Sequence, residues 1–229
     1  MITTLLFDLD GVILNFLKAE DISLKNTIEG YGIPFNAEVE ATYHRINRHL
    51  WDEFEKGTVT KDRVTLGRFK DFLEAIGEER DYIQMGKDYQ NGLAYCYYLY
   101  EDAYEVLERL AKKYRLYAVT NGVSFTAYNR LRGTDTLKFF NDVFVSEDLG
   151  AQKPSLEYFD QVIERIGDLN KEETILIGDS LTSDIQGAKN MGVRSVYLNR
   201  LNLVDRSPII PDYMISNLYE LEELLTKLS

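Results

Sequence analysis

A chain of 229 residues holds one large domain, or a core with a modest insert, and 45% hydrophobic against 28% charged residues is an ordinary composition for a packed protein. With 38 acidic and 26 basic side chains the formal net charge is −12, which disfavours non-specific attachment to nucleic acid polymers or anionic membranes, though a pocket with a bound cation can still hold a small anion. Cys96 is the single cysteine, so no intrachain disulfide forms, and no run of roughly 18 apolar residues exists to cross a membrane.

In chain order, residues 4–9 are a short apolar run closed by acids and Gly11, which reads as a buried strand ending in a loop. The start runs straight into this strand without a secretory pattern, so the expected setting is cytoplasmic. Residues 16–95 contain no convincing strand. Four helices are expected there, near 17–31, 36–56, 60–76 and 79–98, punctuated by Pro34, Gly57 and Gly77. Stripes such as Ile22, Leu24 and Ile28, or Val64, Leu66, Phe69, Phe72 and Leu73, suit a helical bundle.

From residue 103 helices and strands alternate. Strands are expected at 116–119, 143–145, 174–177 and 193–197, with helices at 103–113, 125–131, 156–166 and 184–191. A loop at 199–211, limited by Pro208 and Pro211, leads to a short strand at 213–215 and an amphipathic helix at 218–228. Such alternation predicts a parallel sheet covered on both faces. Right-handed crossovers bring the loops that follow the strands to one edge, where ligands bind. A bundle inserted right after the first strand would project over that edge, as a cap.

The residues that carry chemistry follow the expected strands. Asp8 and Asp10 are two apart, so both can face one ligand. One carboxylate can attack phosphorus and form an aspartyl-phosphate, while the other protonates the leaving alkoxide and later activates water. Thr120 can donate its hydroxyl to phosphate, and Asn121 with Gly122 gives a turn whose N–H groups complete a cradle. Lys153 adds a fixed positive charge, and Pro154 keeps it out of an α conformation. Asp179 offers a third oxygen source for Mg2+ beside the Asp8 carboxylate and the Asp10 main-chain carbonyl. Asp184 either begins a helix as a capping or first-turn acid, or orients water at the metal or the lysine. Both histidines, His44 and His49, fall in the insert, which leaves no histidine-rich zinc site in the core.

The four segments, Asp8-Leu9-Asp10-Gly11, Thr120-Asn121-Gly122, Lys153-Pro154 and Gly178-Asp179-Ser180 with Asp184, resemble in this order the haloacid dehalogenase-like hydrolase superfamily. The resemblance implies a Rossmannoid three-layer α/β core of residues 1–15 and 99–229 and a four-helix, C1-type cap of residues 16–98. It implies Asp8 as nucleophile, Asp10 as general acid/base, Thr120 and Lys153 as phosphate-holding residues, and Asp179 with Asp184 as the acidic metal motif. An aspartate at position 10 resembles the phosphatase and phosphomutase branches rather than true dehalogenases. Val12, where a hydroxyl-bearing threonine is frequent, is a pattern shared with several sugar-phosphate mutases.

A narrower resemblance lies in the insert. The stretch from Asn47 through Leu50-Trp51 to Glu55-Lys56-Gly57, then Thr60 and Gly67-Arg68-Phe69, is similar to bacterial pyrimidine 5′-nucleotidases, as are Ser146-Glu147-Asp148-Leu149-Gly150 and Ser183-Asp184-Ile185-Gln186-Gly187. This implies hydrolysis of (deoxy)pyrimidine nucleoside monophosphates, non-canonical ones included. Asn47, Trp51 and Arg68 are the candidate specificity residues; Trp51 could stack on a base or pack between helices. Phosphoglycolate or sugar-phosphate hydrolysis, a beta-phosphoglucomutase-like isomerisation, and phosphate sensing without turnover are the competing readings. The expected partner is a small phosphomonoester; monomer and homodimer are both compatible with the sequence.

Overall fold

The computed structural model describes residues 1–204 and 207–228; residues 205 and 206, inside the expected loop 199–211, lie outside it. The chain divides into two compact units, one made of Met1–Phe16 with the chain from Tyr97 onward, the other of Leu17–Cys96.

The first unit is built on six parallel strands: β1 (Thr4–Phe7), β2 (Arg115–Thr120), β3 (Asp142–Val145), β4 (Thr174–Gly178), β5 (Arg194–Leu198) and β6 (Tyr213–Ile215). Their order is β3-β2-β1-β4-β5-β6, so the N-terminal strand is interior, between β2 and β4. Alternate residues face opposite ways. Leu5, Phe7, Leu116, Ala118, Ile175 and Ile177 enter one apolar cluster, and Leu6, Tyr117, Val119 and Leu176 another. That double burial is why these strands read as unbroken apolar runs rather than as alternations.

Chain order gives the helices α1 (Phe16–Gly30), α2 (Ala37–Glu55), α3 (Lys61–Thr65), α4 (Gly67–Ile76), α5 (Tyr82–Ala94), α6 (Ala103–Leu110), α7 (Ser124–Gly133), α8 (Ser146–Leu149), α9 (Leu156–Ile166), α10 (Gln186–Met191) and α11 (Leu218–Lys227). Helices α6, α7 and α11 supply the first cluster, through residues such as Val106, Leu131 and Leu221. Helices α9 and α10 supply the second, through Tyr158, Phe159 and Met191. The result is the three-layer Rossmannoid core, with a helical region inserted after its first strand.

The second unit is helical and closes on Tyr43, Phe69, Phe72 and Tyr89, whose ring centroids lie 5.4–6.4 Å apart. Its expected third helix, 60–76, is two helices. Thr60 caps α3, and Leu66, at φ −108°, ends it and starts α4, where Arg63 folds over Gly67 to pair with Asp71. Glycine is a poor helix former, and the missing side chain makes room for that arginine. The expected fourth helix, 79–98, is confined to α5, which Asp81 starts by accepting from the N–H groups of Ile83 and Gln84. Among the described residues no helix is long and apolar enough to cross a membrane.

Candidate active site

Pairing of β1 with β4 continues one residue past the strand, where Asp8 N–H donates to the Ile177 carbonyl at 2.9 Å. The Asp8 side chain therefore leaves the sheet at its C-terminal edge, where β2 ends at Thr120 and β4 at Gly178. Gly11 sits at φ +80° with the carboxylate of Asp179 above it; a Cβ there would lie 1.8 Å from Oδ2. Glycine is thus required at position 11 twice, by the backbone and by the neighbour.

Lys153 is the centre of the polar network. It is 1% exposed. Its ammonium donates to Asp8 Oδ1 at 2.7 Å, to Asp184 Oδ1 at 2.6 Å and to the Val119 carbonyl at 2.9 Å, satisfying all three donors. The Asn121 side chain fixes this lysine, accepting from its main-chain N–H at 2.8 Å and donating to its carbonyl at 2.9 Å. Asn121, expected to bind phosphate, is engaged with Lys153 through both ends of its amide. The Lys153–Pro154 peptide is cis, and Pro154 precedes the next helix, which Ser155 caps.

Asp184 is fully buried in a single wide turn at Leu181–Ile185. Its Oδ2 accepts from the Ser180 N–H at 3.1 Å, and Ser180 rather than Asp184 provides the cap by accepting from the Ser183 N–H. Widened turns of this kind re-aim side chains at functional sites. Here the turn points an acid back at Lys153.

One ammonium faces more acid than it can balance. Burial pushes Asp8 up to about 7; Lys153 opposes the shift and Asp184 adds to it. Burial alone would lower Lys153, but the charges of Asp184 and Asp8 outweigh it and hold the ammonium well above its usual range. The Asp179 side chain reaches solvent, yet desolvation by the surrounding protein, then the charges of Asp8 and Asp184, push its carboxyl well above the ordinary range. Solvent contact tempers the first cause more than the second, because Asp8 and Asp184 are buried beside it.

Carboxylate oxygens of Asp8, Asp179 and Asp184 all lie within 4.8 Å of one another. Hard oxygen donors, excess negative charge and no histidine in the cluster are the environment of Mg2+ rather than zinc. Among the described residues each Asp184 oxygen accepts a hydrogen bond, whereas Asp8 Oδ2 and the Asp179 carboxylate accept none, so Asp8 and Asp179 are the better placed of the three acids to hold the ion. Bound there, Mg2+ offsets the acid charge and polarises phosphoryl oxygens.

Asp10 carries a partner that the sequence did not announce. Arg130 on α7 donates to its Oδ1 in a short ion pair. Thr126, Ala127, Arg130 and Leu131 form the buried stripe of that helix. An arginine spaced three residues from Ala127 and next to Leu131 on a stripe with no other charge was the available signal. Thr120 Oγ1 accepts from the Gly122 N–H at 3.0 Å, which leaves its own proton for an acceptor. Arg200, also missed, makes a bidentate pair with Asp102 and donates to the Val12 carbonyl, tying the loop after β5 to the turn after β1.

The three insert candidates sit within the second unit. Arg68 is 2% exposed and donates to Asn47 Oδ1 at 2.6 Å, and Asn47 donates to Glu20 Oε1 at 2.9 Å. The guanidinium stacks 4.6 Å from the Tyr89 ring and 5.3 Å from Phe69. Trp51 is half-buried, edge-on to Phe54 with the Lys61 ammonium 4.9 Å from its ring.

Comparison with known proteins places this geometry. Residues 5–198 match the family model of haloacid dehalogenase-like hydrolases. The crystal structure of the HAD-hydrolase YfnB from Bacillus subtilis bound to magnesium is 41% identical and superimposes with a TM-score of 0.94, over 98% of this chain and 99% of that one. The pyrimidine 5′-nucleotidase PynA of Streptococcus pneumoniae is 33% identical over 97% of this chain and 94% of its own length. The pyrimidine 5′-nucleotidase YjjG of Escherichia coli is 28% identical over 96% of each chain.

Proposed function

Because the chain belongs to the haloacid dehalogenase-like hydrolases, we propose that this Mg2+-dependent hydrolase is a 5′-nucleotidase acting on (deoxy)pyrimidine nucleoside monophosphates, non-canonical ones included. The phosphatase part rests on one observation, the buried Asp8 carboxylate held by Lys153 with Asp10 two residues on. The nucleotide part rests on the relatives PynA and YjjG, which align over nearly the whole chain.

In this reading an oxygen of Asp8 attacks phosphorus. The bond from phosphorus to the nucleoside 5′-oxygen breaks, and Asp10 donates a proton to that departing oxygen. Asp10 then takes a proton from water as it attacks the phosphoaspartate, which frees phosphate and restores Asp8. Lys153 orients Asp8 through its 2.7 Å bond and balances negative charge on the phosphoryl group. The Thr120 hydroxyl donates to a phosphoryl oxygen. Asn121 acts one step back, by fixing the main chain of Lys153.

The test is Mg2+-dependent phosphate release across nucleoside monophosphates, phosphoglycolate and sugar phosphates, with Asp8→Asn as control. We expect a preference for pyrimidine monophosphates that Asp8→Asn abolishes. Preference for sugar phosphates or phosphoglycolate would keep the chemistry and overturn the nucleotide assignment. Isomerised sugar phosphate without stoichiometric phosphate release would replace hydrolase by mutase, and binding without turnover would make the protein a phosphate sensor.

A further inference from the structure

We propose that Arg130 is the positioning residue for Asp10, a role that rests on the phosphatase reading above. Its side chain is 1% exposed, whereas the Asp10 side chain is 34% exposed. A fully desolvated guanidinium thus grips a carboxylate that still reaches solvent. The rest of the guanidinium is poorly served: Nε and Nη2 have no hydrogen-bond partner among the described residues, and the Phe16 ring lies 5.9 Å from Cζ. Burying an arginine with two unmatched nitrogens is unfavourable, and a leucine would suit that stripe better.

Arg200 is the internal contrast. It holds Asp102 with two bonds and also bonds the Val12 carbonyl, and Asp102 in turn accepts from the Leu218 N–H, so that pair stitches four segments together. Among the described residues the Arg130 side chain bonds no second segment; its one hydrogen bond is to the Asp10 carboxylate. What it fixes is the aim of that carboxylate, beside the Thr120–Gly122 turn, where an ideal Cβ on Gly122 would lie 3.9 Å from Asp10 Oδ2.

If Arg130 works through Asp10, its loss harms steps in which Asp10 moves a proton and spares attack by Asp8 on an ester whose leaving group departs unaided. The experiment uses the full-length Mg2+-loaded protein, Arg130→Met and Arg130→Lys, a nucleoside 5′-monophosphate and p-nitrophenyl phosphate. For Arg130→Met we expect kcat/KM on the nucleotide to fall about 100-fold, within the usual span for general acid catalysis, while the single-turnover burst of p-nitrophenolate falls less than about 10-fold. Arg130→Lys should recover part of the nucleotide activity. In an Asp10→Asn background Arg130→Met should remove less than about 3-fold more, since both act on one step.

Equal losses on the two substrates, or full multiplicative losses in the double variant, would overturn the inference. Thermal melting followed by circular dichroism accompanies each variant; should Arg130→Met fail to fold, Arg130→Lys carries the same two comparisons. Wild-type turnover that depends on Asp8 but is indifferent to Arg130 sinks this inference alone. Absence of any Asp8-dependent turnover sinks the phosphatase reading and this inference with it.

Discussion

Lys153, Asp8 and Asp184 share one dry compartment, so removing the cation strands two acids. Lys153→Met should destabilise the metal-free protein by about 3–5 kcal/mol, measured by urea unfolding. The proton balance gives a second prediction. Asp8 is held near 7, above its unfolded value, so in metal-free protein its contribution to stability is present in acid and is lost as pH rises from about 4 through about 7. Mg2+ competes with that proton. The rise in melting temperature on adding Mg2+ should therefore grow between pH 5 and pH 8; a constant or shrinking increment would contradict a metal held by Asp8. Gly11→Ala should weaken Mg2+ binding about tenfold by displacing Asp179, whereas Gly32→Ala, at φ +73° with open space around it, shows the backbone effect alone. Asp8, Thr120 and Asp179 could be picked out beforehand because each closes an apolar run, and the run gives the edge to which that polar side chain is delivered; Lys153, eight residues beyond β3, was marked instead by the proline after it. Arg130 was harder to single out, because charge on a helix normally marks the wet side, and its spacing from Ala127 and Leu131 was the one hint that this one is inside.

At the scale of elements, the sheet was legible since strands buried on both faces leave uninterrupted apolar runs. The break at Leu66 was not. Val64, Phe69, Phe72 and Leu73 continue one apolar stripe across it, so periodicity reports a single helix where the backbone makes two. Asn47 and Arg68 were singled out for their polarity, but polarity does not distinguish a substrate contact from an internal clasp. In the structure they join α2 and α4 to Glu20 of α1. Asn47→Leu should cost about 1–3 kcal/mol of stability by leaving Glu20 and Arg68 short of partners, read by chemical denaturation. A change in KM at unchanged stability would instead return Asn47 to the substrate.

The whole molecule consists of two compact units, and the acid cluster belongs to one of them. A ligand stabilises only what its binding requires to be folded, by about 2.7 kcal/mol at a hundredfold excess over its dissociation constant. Calorimetry with and without Mg2+ should accordingly move the transition of the sheet unit and leave that of the helical unit in place; movement of both together would mean that they unfold as one.

The interior place of β1 sets a timetable for synthesis. Residues 4–7 leave the ribosome well before their neighbours, residues 115–120 and 174–178. At roughly 5–20 residues per second, the first strand waits on the order of ten seconds for either partner. During that interval the helices between residues 16 and 94 emerge complete, and the aromatic contacts they make with one another lie within that stretch of chain. Once folded, they shorten the effective loop that β1 must close to reach β2. An insert that folds in that interval would hold the nascent chain compact while β1 is still without a sheet.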